Sequence, residues 1–322
     1  MNLREKSNAV LEHILGDTWC IKTNNARIPL YMPDRNNAVM IDAGYAPTSQ
    51  EAILGLLEKE NIQVRAVLVS HWHIDHVGCI PVLREKYGTH SYMSRFTWFL
   101  LNNFDTTRKT VFSYPYIIMP QEGVAMREDE HLIDPDATEI SVCGYTFQVL
   151  RFPGHETENL GYVTPDRVAY LSDTILSQDV LHSIRIPYFT DWDTDLKTKR
   201  QILELDYNAY VMAHNGVVIG SARSLVQENI DNMLSKIELV ASLCQEAITI
   251  EDLNAKMVAV TGGMPDVVGK VNGTRRNTEK VLEYLYKNGR LEIFAKDGYV
   301  YYRTKEADPS VPPSYAGIFK PI

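Results

Sequence analysis

The stretch Ser70-His71-Trp72-His73-Ile74-Asp75-His76-Val77-Gly78 places three imidazoles and a carboxylate within six residues and closes with a glycine. No hydrophobic core calls for that composition, because His and Asp are costly to bury without partners. A metal ion is the partner this set suits. Imidazole binds zinc, iron and nickel, and a carboxylate completes the set or bridges two ions. If the chain stays extended through His73, the side chains of His71 and His73 share a face. Asp75 and His76 follow where the backbone turns, so one stretch can feed two adjacent metals. A strand-end cluster with hydrogen-bonding roles alone would leave this density of ligand types unexplained.

The elements that position these residues follow from the apolar pattern. Val64 to Val69 is an apolar run that reads as a buried strand. Ala38 to Ile41 is another strand, ending in Asp42-Ala43-Gly44. Between them Ser49 to Lys59 carries Ile53, Leu56 and Leu57 on one helical face, which gives a β-α-β unit. Ile80 to Tyr87 reads as a second helix, with Pro81 in its first turn. Trp19 to Lys22, Ile28 to Met32 and His90 to Met93 read as further short strands. Glu139 to Val142 and Tyr145 to Phe152 form a hairpin turning at Cys143-Gly144. That second strand breaks at Pro153-Gly154 and exposes His155. Tyr162-Val163 and Val168 to Leu171 form another hairpin, ending at Ser172-Asp173-Thr174. Leu196 to Leu205 is helical in pattern, and a last strand, Tyr210 to Ala213, delivers His214-Asn215-Gly216.

The pattern H-x-H-x-D-H-x-G after a hydrophobic strand resembles the signature of the metallo-β-lactamase fold superfamily. The Pro153-Gly154-His155 loop, Ser172-Asp173-Thr174 and Asp42-Ala43-Gly44 are similar to further motifs of that family. Ala213-His214-Asn215-Gly216 matches its usual P-G-H-G only in part. The resemblance covers about residues 15 to 220. It implies an α/β four-layer αββα sandwich with His71, His73 and His155 on one metal, and Asp75, His76 and His214 on a second. Asp173 bridges the two, and Asp42 supports the metal loop by hydrogen bonding. An Asp before a glycine is also an ordinary turn former, and the two roles are compatible. Two divalent ions are implied, zinc foremost, with iron or manganese as alternatives.

The chain has 322 residues, enough for one large domain and a smaller one. Residues 1 to 220 read as the catalytic domain, and 221 to 322 as a winged-helix-like domain with an extended Pro-rich tail. In that second part Ser224 to Cys244 is a long amphipathic helix, and Thr249 caps a helix that breaks at Gly262-Gly263. Asn277 to Asn288 is a third helix. A hairpin then turns at Ala295-Lys296-Asp297-Gly298. Arg275, Arg276, Lys280, Lys287 and Arg290 give this region a basic side, but a formal net charge of -9 argues against nucleic acid as the partner of the whole chain. The four cysteines are scattered, with no C-x-x-C pair, which fits a reduced compartment. Met1 to Lys6 leads into no long apolar stretch. Together these suggest a cytoplasmic protein with no membrane partner.

Residues 94 to 125 hold seven aromatics, from Phe96 to Tyr116. The resemblance places this insert over the mouth of the site, as a substrate pocket or a homodimer contact. Trp98 and Phe112 are the pocket candidates, with His182 and Tyr188 from the later segment. An extra helical layer with its own small core is the alternative.

The leading functional reading is a metallohydrolase. Two adjacent cations supply a hydroxide at neutral pH for a small ester, thioester or lactone, with Asp75 orienting the nucleophile or carrying a proton. The alternatives are a mononuclear iron thiol or persulfide oxygenase, and a phosphodiesterase or ribonuclease on the same centre.

Overall fold

The computed structural model describes residues 8–104, 106–107 and 130–306. Two mixed β-sheets flanked by helices form an α/β sandwich, and a smaller helical and sheet module follows. The contacts divide the chain into two units. The first holds residues up to 152, 158–180 and 205–223, and the second holds 153–157, 181–204 and the residues from 224 onward.

In the first unit, β1 (Val10–Leu15), β2 (Thr18–Lys22), β3 (Arg27–Tyr31), β4 (Asn37–Ile41), β5 (Gln63–Leu68), β6 (His90–Ser94) and β7 (His131–Ile133) lie in sequence order in one sheet. Its first four strands are antiparallel, and β4 through β7 are parallel. The second sheet runs in the order β13 (Gly216–Ile219), β12 (Ala209–Met212), β11 (Val168–Tyr170), β10 (Leu160–Val163), β9 (Tyr145–Arg151), β8 (Glu139–Val142). The β8–β9 turn falls at Cys143 and Gly144, both with positive φ, as a two-residue hairpin turn requires.

Burial on both faces explains the apolar run of β5 from Ala66 onward. Val64, Val67 and Val69 join the core under helices α1 (Ala46–Lys59), α3 (Ile80–Tyr87) and α4 (Arg95–Asn102). Ala66 and Leu68 join Val39 and Ile41 in the core between the sheets, against Phe147, Tyr162 and Tyr170. Val64 and Ala66 are two apart yet serve opposite faces. The pairing with β4 shifts there, so Arg65 acts as a bulge.

The four-residue helix α2 (Ile74–Val77) follows β5 and packs its closing glycine against the start of α1. A Cβ on Gly78 would stand 2.7 Å from the Ala46 nitrogen and 2.9 Å from the Gly44 carbonyl. The glycine of the motif is therefore there for space, since its own φ of -56° suits any residue. Trp98, a pocket candidate from its residue type, packs with Phe96 and Phe104 against the core under the helices. Phe112 lies outside the described residues.

The second unit contains α6 (Trp192–Ile202), α7 (Arg223–Leu243), β14 (Ile248–Thr249), α8 (Ile250–Val260), α9 (Val268–Lys287) and the hairpin β15 (Leu291–Lys296) and β16 (Tyr299–Thr304). A short helix, α5 (Gln178–Ser183), lies across the division between the units. The small sheet has the order β14-β16-β15. Thr249 caps α8 by accepting from the Asp252 amide, and Asp297 and Gly298 turn the hairpin with positive φ. Helix α9 starts nine residues before the Asn277 start read from the sequence. Gly269 and Gly273 lower the propensity of its first turns. Tertiary bonds override that: Asn254 donates to the Val271 carbonyl and Asn277 to the Ile186 carbonyl.

The five basic residues that gave this unit a basic side in the sequence all have partners. Arg290 makes a two-pronged pair with Glu238 at 2.8 Å, and Arg275 reaches Glu251 and Glu279 at 3.1 Å. Lys287 bonds Glu283 and Asp191, Lys280 bonds Glu283, and the Arg276 guanidinium lies 4.3 Å over the Tyr188 ring. Inside α6, Lys199 and Asp195 form an ion pair with no exposure, and the ammonium sits over the Phe189 ring. Burial pushes the Asp195 carboxyl up to about 6 despite the neighbouring ammonium. No helix among the described residues is long and apolar enough to cross a membrane.

Two stability outcomes follow. Gly78→Ala should lower unfolding free energy by about 1–3 kcal/mol through overpacking, whereas Gly55→Ala, with open space at its Cβ on α1, should raise it by about 0.5–1 kcal/mol. Urea midpoints for the two variants check the pair. Lys199→Met should cost about 3–5 kcal/mol by leaving a buried carboxylate alone, and the double variant Lys199→Met with Asp195→Leu should recover most of the loss, read by the same titration.

Candidate metal centre

The candidate ligands of the first unit follow the ends of strands, Asp75 and His76 on the short helix after β5. β5 runs out at Leu68 and releases His71 and His73 before α2 presents Asp75 and His76. β11 ends at Tyr170 and delivers Asp173, and β12 ends at Met212 and delivers His214. Sharp left-handed corners help to aim them, because Asp42, Ser172 and Asn215 have φ of 60°, 52° and 59°. Such backbone costs energy outside glycine and persists where surrounding bonds hold it.

Asp42, 2% exposed, is the residue that fixes this geometry. One carboxylate oxygen accepts from the Ser70 amide at 2.7 Å. The other accepts from the Ser70 hydroxyl at 2.7 Å, the Tyr170 hydroxyl at 2.7 Å and His76 Nδ1 at 2.8 Å. The Ala43 amide donates to the His76 carbonyl, closing the same corner.

These bonds decide the imidazole tautomers. The Ser70 hydroxyl donates to Asp42 and the Ser172 hydroxyl donates to Asn159, so both can only accept from His71 Nδ1, at 3.0 and 3.3 Å. His71 thus keeps its Nε2 lone pair for the centre. His76 donates Nδ1–H to Asp42, His214 to the Asn25 carbonyl and His155 to the Tyr188 carbonyl, so each likewise presents Nε2. His71 Nε2 and His73 Nδ1 stand 2.9 Å apart. Two imidazole nitrogens on one tetrahedral cation at about 2.0–2.1 Å come to about 3.3 Å of each other, so the spacing suits a shared ion.

Two groups of donors result. One donor atom each from His71, His73, His155 and Asp173 lies within 4.8 Å of the others, and the same holds for Asp75, His76 and His214. Asp173 connects the groups, with one oxygen 3.4 Å from His76 Nε2 and the other 3.4 Å from His214 Nε2. Asp75 stands 3.5 Å from His214 Nε2 and 3.8 Å from His76 Nε2. His76 Nε2 is buried and makes no hydrogen bond, as a lone pair reserved for a cation would. The donor set, imidazoles with two carboxylates, fits two divalent ions of the zinc type. Asp173, against the pull of its burial, is held well below the usual carboxylate range by His214 and His76. Asp173 lifts the His214 imidazole to about 9.

A cavity of about 300 Å³ opens beside the second group, with Asp75 and His214 in its wall. Its other walls come from the β2–β3 turn and the start of α1. Trp98, the one pocket candidate described within the first unit, is not among its walls. His182 is exposed on α5, and Tyr188 gives its carbonyl to His155 and its hydroxyl to Glu156 at 2.8 Å. Ser70, Ser172 and Asn25 orient the histidines, backed by Asn159 on Ser172 and Tyr170 on Asp42. Only Ser70 and Ser172, each next to a ligand in its motif, carried a local signal in the sequence.

The chain matches the model of the metallo-beta-lactamase superfamily over residues 31–214 and belongs to that superfamily. It is 26% identical over 189 residues to a hydroxyacylglutathione hydrolase of Rhodopseudomonas palustris, across 58% of this chain and 62% of that protein. It is 23% identical over 195 residues to the hydroxyacylglutathione hydrolase GloC of Haemophilus influenzae, across 58% of this chain and 84% of that one. The fold is similar to that of a metallo-beta-lactamase family protein from Thermus thermophilus, with a TM-score of 0.63 and 17% identity over 88% of this chain and 94% of that chain.

Asp42→Asn leaves an amide where four donors converge and frees His76 to change tautomer. Its affinity for zinc should fall about 10- to 100-fold, measured by competition with a chromophoric chelator, while Asn24→Asp on the neighbouring exposed turn should leave affinity within about twofold.

Proposed function

We propose that the chain is a binuclear metallohydrolase of small-molecule thioesters, esters or lactones. The observation that carries this reading is the pair of donor groups joined through Asp173. A pair of divalent cations, zinc foremost, would supply Lewis acidity and a water made nucleophilic at neutral pH. His71, His73, His155 and Asp173 would hold one cation, and Asp75, His76 and His214 the other, with Asp173 shared. The completeness of the second group favours this over a mononuclear iron oxygenase.

Asp42 would keep His76 in the ligating tautomer. Asp75 is half-buried and faces the cavity as well as the two histidines, so its carboxylate can orient the attacking water and take its proton. The similarity to hydroxyacylglutathione hydrolases supports thioesters within the class. The paired basic side chains of the second unit favour a small substrate over a nucleic acid.

Turnover of a panel of thioesters, lactones and phosphodiesters by zinc-loaded protein tests this. Thioester or lactone hydrolysis should vanish with a chelator and return with zinc. Asp75→Asn should lower kcat on all substrates about 10²- to 10⁴-fold, with metal content measured alongside. Hydrolysis indifferent to chelation, turnover of phosphodiesters alone, or oxygen consumption with thiols would contradict the reading.

A further inference from the structure

His155 is carried on the 153–157 segment of the second unit. Within that unit its neighbours are bonded to one stretch, residues 185–190. His155 Nδ1 donates to the Tyr188 carbonyl at 3.2 Å, and the two rings meet edge-on with centroids 5.3 Å apart. The Tyr188 hydroxyl donates to the buried Glu156 carboxylate at 2.8 Å. The Thr190 amide and hydroxyl both donate to the Gly154 carbonyl at 2.9 Å. Gly154, His155 and Glu156 are thus each tied to the same stretch.

That stretch lies between α5 and α6 and belongs to no helix or strand. Without a ladder of its own, its backbone groups take their bonds from elsewhere. The C-terminal module supplies several. Arg185 Nε donates to the Gly262 carbonyl, just after α8, at 3.1 Å. Asn277 of α9, 8% exposed, donates to the Ile186 carbonyl at 2.9 Å. The Arg276 guanidinium lies 4.3 Å over the Tyr188 ring, and Arg276 Nε donates to Asn277 Oδ1 at 3.3 Å. With its oxygen held by Arg276, the Asn277 amide presents its NH₂ to Ile186. Asparagine is a poor residue for a helix interior, and this one bonds a distant carbonyl rather than one of its own helix. Its role therefore lies outside α9.

We propose that Asn277 and Arg276 of α9 are positioning residues for the metal ligand His155, acting through Ile186 and Tyr188. Asn277 fixes the Ile186 carbonyl, and Arg276 covers the Tyr188 ring two residues on. The Tyr188 carbonyl then holds the Nδ1–H of His155, which leaves Nε2 as the ligating atom. The C-terminal module thereby sets the aim of a ligand from a distance. The inference rests on the metal centre of the proposed function and not on its substrate.

Two readouts on zinc-loaded, full-length protein test this. The first is the imidazole Nδ1–H resonance of His155 in histidine-labelled protein, assigned by its loss in His155→Gln. The second is zinc affinity by competition with a chromophoric chelator. Asn277→Leu and the milder Arg276→Gln should each shift the resonance and weaken the binding of one of the two zinc ions about 10-fold. Leu285→Ala, at a fully buried position further along α9, should lower the melting temperature and leave both readouts as in wild type. A folded variant in which neither readout moves removes its residue from the proposal. No change in both variants, or an equal change in Leu285→Ala, overturns it.

Neither readout needs a substrate, so the inference and the hydrolase reading fail separately. Zinc-dependent hydrolysis with a His155 resonance indifferent to both substitutions retains the hydrolase and overturns the positioning role. The expected shifts in a protein that binds zinc but hydrolyses none of the panel remove the hydrolase reading and retain the positioning role. A wild-type protein that takes up no zinc overturns both.

Discussion

The site depends on one buried carboxylate. Asp42 accepts from two groups of Ser70, from His76 and from Tyr170. Ser70 closes β5, His76 is on α2, and Tyr170 belongs to the second sheet, so one side chain fastens the metal loop to both halves of the sandwich. A carboxylate buried there without those donors would be strongly destabilising. The donors need the sheets to have closed, and the ligand His76 needs Asp42 to fix its tautomer. The packing of the interior and the aim of the ligands are therefore one problem. Two more bonds act in the same sense: Tyr162 donates to the Val69 carbonyl and the Leu160 amide to the Ser70 carbonyl.

From that constraint the rest of the arrangement follows. Strand ends release the ligands, left-handed corners at Asp42, Ser172 and Asn215 turn them, and hydrogen bonds on Nδ1 hold four of the five imidazoles with Nε2 inward. The fifth, His73, offers Nδ1 beside His71. Two donor groups sharing Asp173 stand ready without rearrangement, and preorganisation of this kind is what lets a metal centre stabilise developing charge. The adjoining cavity starts at Asp75 and His214, so the residues that would hold a cation also border the space for a substrate.

Much of this was legible in the sequence, for physical reasons. His71, His73, Asp75 and His76 stood out because clustered His and Asp after an apolar run have no role in a core, whereas His155, Asp173 and His214 were picked out by resemblance to the family's motifs. β5, α3 and the turns at Cys143-Gly144 and Asp297-Gly298 followed from apolar runs and from residues that tolerate positive φ. Partners such as Asn25, Asn159 and Tyr170 were not legible, because a single polar residue carries no periodic signal and its partner is fixed only by the closed fold. The start of α9 was hidden by two glycines whose cost is offset by tertiary contacts. Trp98 illustrates the limit of residue type: an aromatic in an insert can line a pocket or fill a core, and here it packs on the core. The cavity is walled by the β2–β3 turn and the start of α1, segments whose sequence holds small and hydroxyl residues rather than an evident binding motif.

The central claim is that two divalent ions share the centre. Its most direct test is the stoichiometry of metal bound per chain, by elemental analysis of protein purified without added metal and then reconstituted with zinc and desalted. The expected result is two zinc ions per chain, with His76→Ala reducing the value to one. A value near zero after reconstitution, or a single ion unaffected by His76→Ala, would contradict the binuclear account.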